Sequence, residues 1–578
     1  MPWHFTQIKY NPGSYKPIFY DLQSCKTKFL SFFGNCPGES LYIGENMEIF
    51  VKFWRWSRME QRDRWATKIG LILAMAGNAI GLGNFVRFPT QVAGNGGGAF
   101  MVPYFLALFF LGIPVMWVEW VQGRYGGKYG HGTLGPTFYL MARETLKPRG
   151  ALFFGLIGGA LAFATTTLLN SYYLHLIGWS AAYSWFSISG AYFNVENTAE
   201  FFASYLSNHG LVFLFWGITV VLLAIAVGQG VSKGIERWVK VMMPLLYIFA
   251  IILVIYVFAL GSPLGDPNWS TIKGFEFIWS PNWGYLKDHL WEVMLAASGQ
   301  IFFTLSLGMG IIQNYASYLG PKDDVALSGL ATVSLNEFAE VVLGGSIAVP
   351  LAVAYAPKIV PEDVLAQGSN AALAWISENF GLGFSYTSLP NIFVQMGTAG
   401  RFFGALWFLL LWFAGFTSAI AMYNYLTALL EEDLGISRKT GTWIVFVIYF
   451  LLGIPVVYIS GYLDQVDAWI NFQLALLALF DIIVGVWLFK PDNFWRELHE
   501  GAYINVPTIY KWITVIIAPI FIALPLFGTF SDLVSKTLET PAKIAIVAML
   551  LLGAIETYYA IKKKYGEELA KNEVIIKV

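Results

Sequence analysis

The chain is 578 residues long, 56% hydrophobic and only 13% charged, with a formal net charge of −1 and two cysteines. A soluble protein carries about 25% charged residues, so this chain lacks the charge to cover a surface in water, and nothing in its balance favours a nucleic acid as partner. That excludes a disordered chain, a disulfide scaffold built on Cys25 and Cys36, and an ordinary cytosolic enzyme; the long apolar runs point to an all-α integral membrane protein.

Residues 1–58 contain no apolar run long enough to span a bilayer and read as an N-terminal extension. A spanning helix needs about 20 apolar residues. Twelve runs meet that length: 68–91, 98–123, 151–184, 210–228, 237–261, 292–318, 325–355, 402–430, 441–460, 465–488, 509–528 and 541–561. The first is too long and too central for a signal peptide. The connection 356–401 holds periodic stretches of its own, such as Ala371 to Phe380, and predicts short helices over the outer face. Basic residues gather on one side of the expected membrane. They include Arg64 and Lys68 before the first run, Arg124, Lys128, Arg143, Lys147 and Arg149 between the second and third, and Lys562, Lys563 and Lys564 after the last. Positive charge marks the cytoplasmic side, so both termini are expected there, in a multi-pass protein of the cell (inner) membrane.

Two runs are interrupted by glycine. The first carries Gly77-Asn78-Ala79-Ile80-Gly81-Leu82-Gly83-Asn84, and the sixth carries Thr304-Leu305-Ser306-Leu307-Gly308-Met309-Gly310. Glycine costs up to about 1 kcal/mol relative to alanine inside a helix. One such cluster could simply let helices pack closely. Breaks in spans one and six together fit two inverted five-helix repeats with a binding site where the helices are broken. A broken helix offers free N–H groups to an anion and free carbonyls to a hard cation. Asn84, Thr304, Ser306, Asn336, Thr417 and Ser418 add oxygens nearby. Such a nearly uncharged set suits sodium and a zwitterion. No His or Cys cluster has transition-metal spacing, and no nucleotide-binding or hydrolase motif is present to drive a primary pump.

The stretches Gly77 to Pro89, Asn95-Gly96-Gly97-Gly98-Ala99-Phe100 and Gly299 to Gly308 resemble the neurotransmitter:sodium symporters, in particular their bacterial leucine-transporter-like branch. The resemblance covers 62–564 and implies a transport domain over 59–564, with 565–578 as a cytoplasmic tail. It implies two sodium sites. One comprises the Ala79 carbonyl with Asn84, Thr304, Asn336 and the substrate carboxylate. The other comprises the Gly77, Ile80 and Ala414 carbonyls with the Thr417 and Ser418 hydroxyls; read without the resemblance, those hydroxyls would bond back to their own helix. It further implies a substrate pocket of Ala79, Gly83, Leu169, Tyr173, Phe303, Thr304, Ser306, Met309, Ser418 and Met422. In it Tyr173 meets the carboxylate and Phe303 forms a lid. Met309 and Met422 replace an aromatic and a β-branched residue of the leucine transporter, which favours hydrophobic amino acids broadly; the larger Leu169 works against that breadth.

The same resemblance implies an outer gate of Arg87 and Asp467 and an inner gate of Arg62 and Glu432, with Asp433 as the alternative anion and Trp65, Ser317 and Tyr318 nearby. Glu340 stands where chloride-dependent members are neutral, so a carboxylate in place of chloride is expected; the plainer alternative is a protonated Glu340 bonded to a neighbour such as Gln300. Glu119 is assigned nothing beyond helix pairing. The reading is an alternating-access importer of a hydrophobic amino acid that uses sodium but neither chloride nor covalent chemistry. A non-transporting sensor and an ion channel are its rivals, and a homodimer is compatible with it. Family-like sequence begins just after Met59, so Met59 is expected to be the initiator.

Overall fold

The structure, a computed structural model, describes residues 63–574 except 368, 380, 381, 536 and 537. The expectations on 1–58, on Met59 as the initiator and on Arg62 therefore lie outside the described residues. The first long helices are α1 (Lys68–Ala79), α2 (Gly83–Gly94), α3 (Gly98–Lys128), α4 (Leu134–Ala142) and α5 (Pro148–Ser189). They are followed by α6 (His209–Gly228), α7 (Val231–Leu260), α8 (Leu290–Thr304), α9 (Ile311–Ala316), α10 (Ala326–Ala354) and α11 (Thr398–Glu432). The chain continues through α12 (Arg438–Tyr458), α13 (Tyr462–Leu488), α14 (Ile509–Ser531) and α15 (Thr540–Lys571).

Among the described residues ten helices are long and apolar enough to cross a membrane, and α1 with α2, bent by 49° at their junction, make an eleventh. The run expected at 292–318 is split into α8 and α9, each too short to span alone. Backbone chirality explains that split. Ser306, Gly308 and Gly310 have φ of 55°, 71° and 80°, left-handed values that a right-handed helix cannot contain. The connection 356–401 contains short helices, among them Ser369–Asn379 and Ser388–Gln395.

Capping fixes where several spans begin. Thr67 Oγ1 accepts from Gly70 N–H at 3.0 Å at the start of α1, and Asn208 and Ser437 cap α6 and α12 in the same way. Helix α5 closes on Gly190 in the left-handed conformation. Buried side chains of α5 and α11 line the centre of the bundle, whereas Val447, Ile520 and Ile555 on α12, α14 and α15 stay exposed. An apolar outer ring is stable only against lipid, because in water it would cost about 25 cal/mol per Å². Near the first break, α10 opens into a wide π-turn over Phe338–Gly344. A side chain at Gly344 would run into the Asn84 carbonyl, so this glycine lets α10 lie directly against the start of α2.

Helix α15 runs beyond its apolar part, kinks at Tyr565 and ends at Lys571. Its Glu568 pairs with Arg143 at 2.9 Å and accepts from the Tyr139 hydroxyl at 3.0 Å, which docks 565–571 on α4.

Candidate functional site

The first span loses helical geometry at Ile80, whose ψ of 101° is extended. Three bonds hold the break. Gly81 N–H donates to Asn84 Oδ1 at 2.8 Å, Leu82 N–H donates to the Tyr173 hydroxyl at 3.0 Å, and the Ser418 hydroxyl donates to the Asn78 carbonyl at 3.0 Å. The sixth span is held to it by the Ser306 hydroxyl, which also donates to the Asn78 carbonyl at 3.0 Å. Glu119 does more than pair helices: its Oε1 accepts from Gly308 N–H at 2.7 Å and so supports the left-handed turn from behind.

The side chains expected at the first sodium site converge. Asn84 Nδ2 donates to Thr304 Oγ1 at 3.1 Å, to Asn336 Oδ1 at 2.8 Å and to Glu340 Oε2 at 3.1 Å. Thr304 Oγ1 also donates to Glu340 Oε2, while Gln300 Nε2 donates to Glu340 Oε1 at 2.7 Å. Asn84, Asn336 and Glu340 are 0% exposed, so the carboxylate is surrounded by amide and hydroxyl donors and shielded from water. Ala79 ends α1 at the break and lines the pocket described below.

The groups expected at the second site also meet. Ser418 Oγ lies 3.2 Å from the Gly77 carbonyl oxygen, 3.4 Å from that of Ile80 and 3.3 Å from that of Ala414. Thr417 Oγ1 bonds back to the Phe413 and Ala414 carbonyls, both at 3.0 Å. Back-bonding within α11 thus accounts for Thr417, whereas Ser418 reaches across to the broken helix. Three carbonyls and two hydroxyls in one cluster are the hard, neutral oxygen set that a monovalent cation takes.

Between the two breaks is a small space with a cavity volume of about 20 Å³, room for about one water molecule. Of the expected lining residues Ala79, Gly83, Leu169, Tyr173, Phe303, Ser306, Met309, Ser418 and Met422 form its wall. Thr304 does not, because its side chain turns to Asn84 and Glu340. Asn78, Gly81 and Ile311 line it unforeseen.

The expected gate pairs differ more. Arg87 and Asp467 form no direct ion pair. Asp467 Oδ1 accepts from the Tyr172 hydroxyl of α5 at 2.6 Å and Oδ2 from Asn471 Nδ2 of its own helix at 2.9 Å, so both oxygens are already engaged. Arg87 donates to the Gly299 carbonyl at 3.2 Å and to Gln300 Oε1 at 3.0 Å, with its guanidinium 4.8 Å from the Phe303 ring centroid. Gln300 thereby links Arg87 to Glu340. At the other end Glu432 Oε2 accepts from Gly132 N–H at 2.7 Å and Asp433 Oδ2 from the Thr133 hydroxyl at 3.1 Å. Burial, helped by the Glu432 charge, pushes the Asp433 carboxyl up to about 6. Trp65 Nε1 donates to the Tyr315 carbonyl at 3.0 Å, and the Trp65 ring lies 6.5 Å from that of Tyr318; the Ser317 hydroxyl donates to the Asn314 carbonyl.

Sequence reasoning missed Asn78, Tyr172 and the bond from Arg87 to Gln300. Asn78 and Tyr172 are polar residues inside apolar runs beside ones that were chosen, and the cost of burying them unpaired was the available signal.

Comparison with known proteins follows the same lines. The sequence pattern of the sodium:neurotransmitter symporter family matches residues 62–201 and 192–556. An uncharacterized sodium-dependent transporter of Methanocaldococcus jannaschii is 28% identical over 495 residues, covering 82% of this chain and 92% of that one. The sodium- and chloride-dependent taurine transporter of Rattus norvegicus is 26% identical, covering 76% of this chain and 73% of that one. The crystal structure of MhsT in complex with L-phenylalanine superposes with a TM-score of 0.66 at 28% identity, over 81% of this chain and 99% of that chain. The chain belongs to the sodium:neurotransmitter symporter family, and its relatives from Methanocaldococcus jannaschii and Rattus norvegicus are transporters, not enzymes.

Proposed function

We propose that this protein is a sodium-coupled symporter that imports a hydrophobic amino acid by alternating access and does not require chloride. The observation that carries the reading is the pocket: two broken spans meet around one small space whose walls are mostly apolar but include the Tyr173 phenol. A zwitterion suits such a place, its carboxylate toward the phenol and a free helix N-terminus and its ammonium toward free carbonyls. The solved relative that holds L-phenylalanine supports a hydrophobic amino acid. In this reading Ala79, Asn84, Thr304 and Asn336 hold one sodium, which the substrate carboxylate completes, and Gly77, Ile80, Ala414, Thr417 and Ser418 hold the other. Arg87 and Asp467 close the outer side; Glu432, with Arg62, closes the inner side. Twelve spans form the body, ten of them as two inverted repeats of five, with both termini cytoplasmic. Glu340 supplies near the first sodium the fixed negative charge that chloride would otherwise bring.

Purified protein in proteoliposomes tests this. An inward sodium gradient is expected to drive saturable uptake of labelled phenylalanine that leucine and other hydrophobic amino acids suppress. Sodium-dependent binding without uptake would make the protein a sensor, and non-saturable ion flux would make it a channel.

A further inference from the structure

The start of the first span is held by a residue that the gate pairs leave out. Glu236, in the second turn of α7, is 1% exposed. Its Oε2 accepts from the Ala66 N–H at 2.7 Å, and its Oε1 accepts from the Thr67 hydroxyl at 2.7 Å and from Lys240 Nζ at 2.6 Å. Ala66 and Thr67 immediately precede α1, whose first turn has no acidic residue of its own. A helix N-terminus carries free N–H groups and partial positive charge. Glu236 therefore brings from α7 the anion that α1 lacks. By taking the Thr67 hydroxyl hydrogen it also leaves that oxygen to accept from Gly70 N–H, the bond that caps α1. A side chain at Gly70 would run into the Glu236 carboxylate, so this glycine lets α1 touch α7. Just upstream, Asp63 Oδ2 accepts from the Val231 N–H at 2.5 Å, a second tie to α7.

Helix α1 has only 12 residues and ends at the break, where its Gly77 carbonyl and that of Ile80 face Ser418. It is a short rod with an unwound joint at one end and the bonds to Glu236 at the other. Beside those bonds the Trp65 ring packs edge-on against Tyr315 of α9 at 5.2 Å. A rod of this kind opens the inner side by turning at its joint, and the charge-assisted bonds to Glu236 are what its far end has to leave. We propose that Glu236 latches the inner side: it is a positioning residue that sets how readily the start of α1 comes away from α7, and so how readily the pocket opens to the cytoplasm. This rests on the alternating-access reading above and adds to it a residue outside both gate pairs.

Thiol labelling of the purified full chain reads the latch directly. Cys25→Ser and Cys36→Ser remove the native thiols. Ala74→Cys then places one thiol on α1 at a position 1% exposed, and in a parallel protein Ala182→Cys places one on α5 at a position 0% exposed. A water-soluble maleimide reaches the first only when α1 leaves its neighbours. Adding Glu236→Gln is expected to speed labelling at position 74 about tenfold and to leave position 182 unchanged. Thr67→Val should act alike and add little to Glu236→Gln, because both remove the same contact. Thr67→Ser, which keeps the hydroxyl, should label at the parent rate. Unchanged labelling at position 74 in Glu236→Gln, or equal acceleration at both positions, would overturn the latch. Should Glu236→Gln not fold, the comparison of Thr67→Val with Thr67→Ser decides. Labelling needs neither substrate nor a sodium gradient, so a failed latch leaves the symporter reading standing, whereas absent uptake strikes that reading by itself.

Discussion

Arg87 and Asp467 each satisfy their charge with neutral partners, and that changes what their removal should do. Arg87 holds the Gly299 carbonyl and Gln300 and covers the face of Phe303, so it orders the roof of the pocket before any direct bond to Asp467 forms. Hydrogen bonds to a charged group contribute about 1.5–3 kcal/mol, or roughly ten- to hundredfold in a rate that depends on them. Arg87→Ala is therefore expected to lower sodium-driven uptake by about that factor while leaving yield and monodispersity in detergent intact; uptake at the wild-type rate would remove the gate assignment. Glu340 is expected to behave differently. Its two oxygens accept from Gln300, Thr304, Asn84 and Asn336, four neutral groups, so no cation among them balances it. Wild-type uptake should persist when gluconate replaces chloride, and Glu340→Ser uptake should become chloride-dependent; collapse of the wild-type protein in gluconate would refute the substitution of charge.

Among elements, the two breaks show what sequence can and cannot announce. The glycine clusters at 77–83 and 308–310 were legible because a left-handed or unwound backbone at bilayer depth leaves few residue types able to form it. Ten of the twelve expected spans were legible from length alone, so 210–228 returns as His209–Gly228. Helix α5 outruns its expected 151–184 at both ends, because the polar residues Ser184, Ser187 and Arg149 end an apolar run without ending a helix. The side-chain bonds were not legible: that Thr304 turns from the pocket to Glu340, or that Tyr172 takes an oxygen of Asp467, depends on positions some hundreds of residues apart. Gly308 is where an element can be tested by one methyl group. It has φ of 71°, and a Cβ there would press on the Leu474 carbonyl of α13. Gly308→Ala should cost on the order of 2–4 kcal/mol and abolish uptake, seen as a fall in melting temperature in detergent. Gly299→Ala, whose Cβ would meet only the far end of Arg87 at 4.0 Å, should melt near the wild-type protein. Equal melting of the two variants would mean that the unwound turn is not held as drawn.

At the scale of the molecule, the basic residues that set the expected orientation also lie together. Lys128 pairs with Glu497 and Glu500, Arg143 with Glu568, and Lys563 donates to the Asp433 carbonyl, so the connection after α3, the ends of α11 and α15 and the segment after α13 form one face. A face this rich in cations is the one that the proposed orientation turns to the cytoplasm. In the proposed symport, two sodium ions carried with a zwitterion would move two net positive charges inward per cycle, while Glu340 would remain with the protein and cancel none of them. An interior-negative potential of about 100 mV then adds roughly 2.3 kcal/mol per charge, near 4.6 kcal/mol in all, to the force driving accumulation. At a fixed sodium gradient, a potassium diffusion potential set with valinomycin should raise both the initial rate and the final accumulation of substrate. Reversing its sign should depress both. The slope of accumulation against potential separates the stoichiometries, since one sodium per substrate gives half the steepness of two. Accumulation indifferent to potential would mean that protons leaving in exchange balance the sodium, and the coupling of two uncompensated sodium ions would have to be given up.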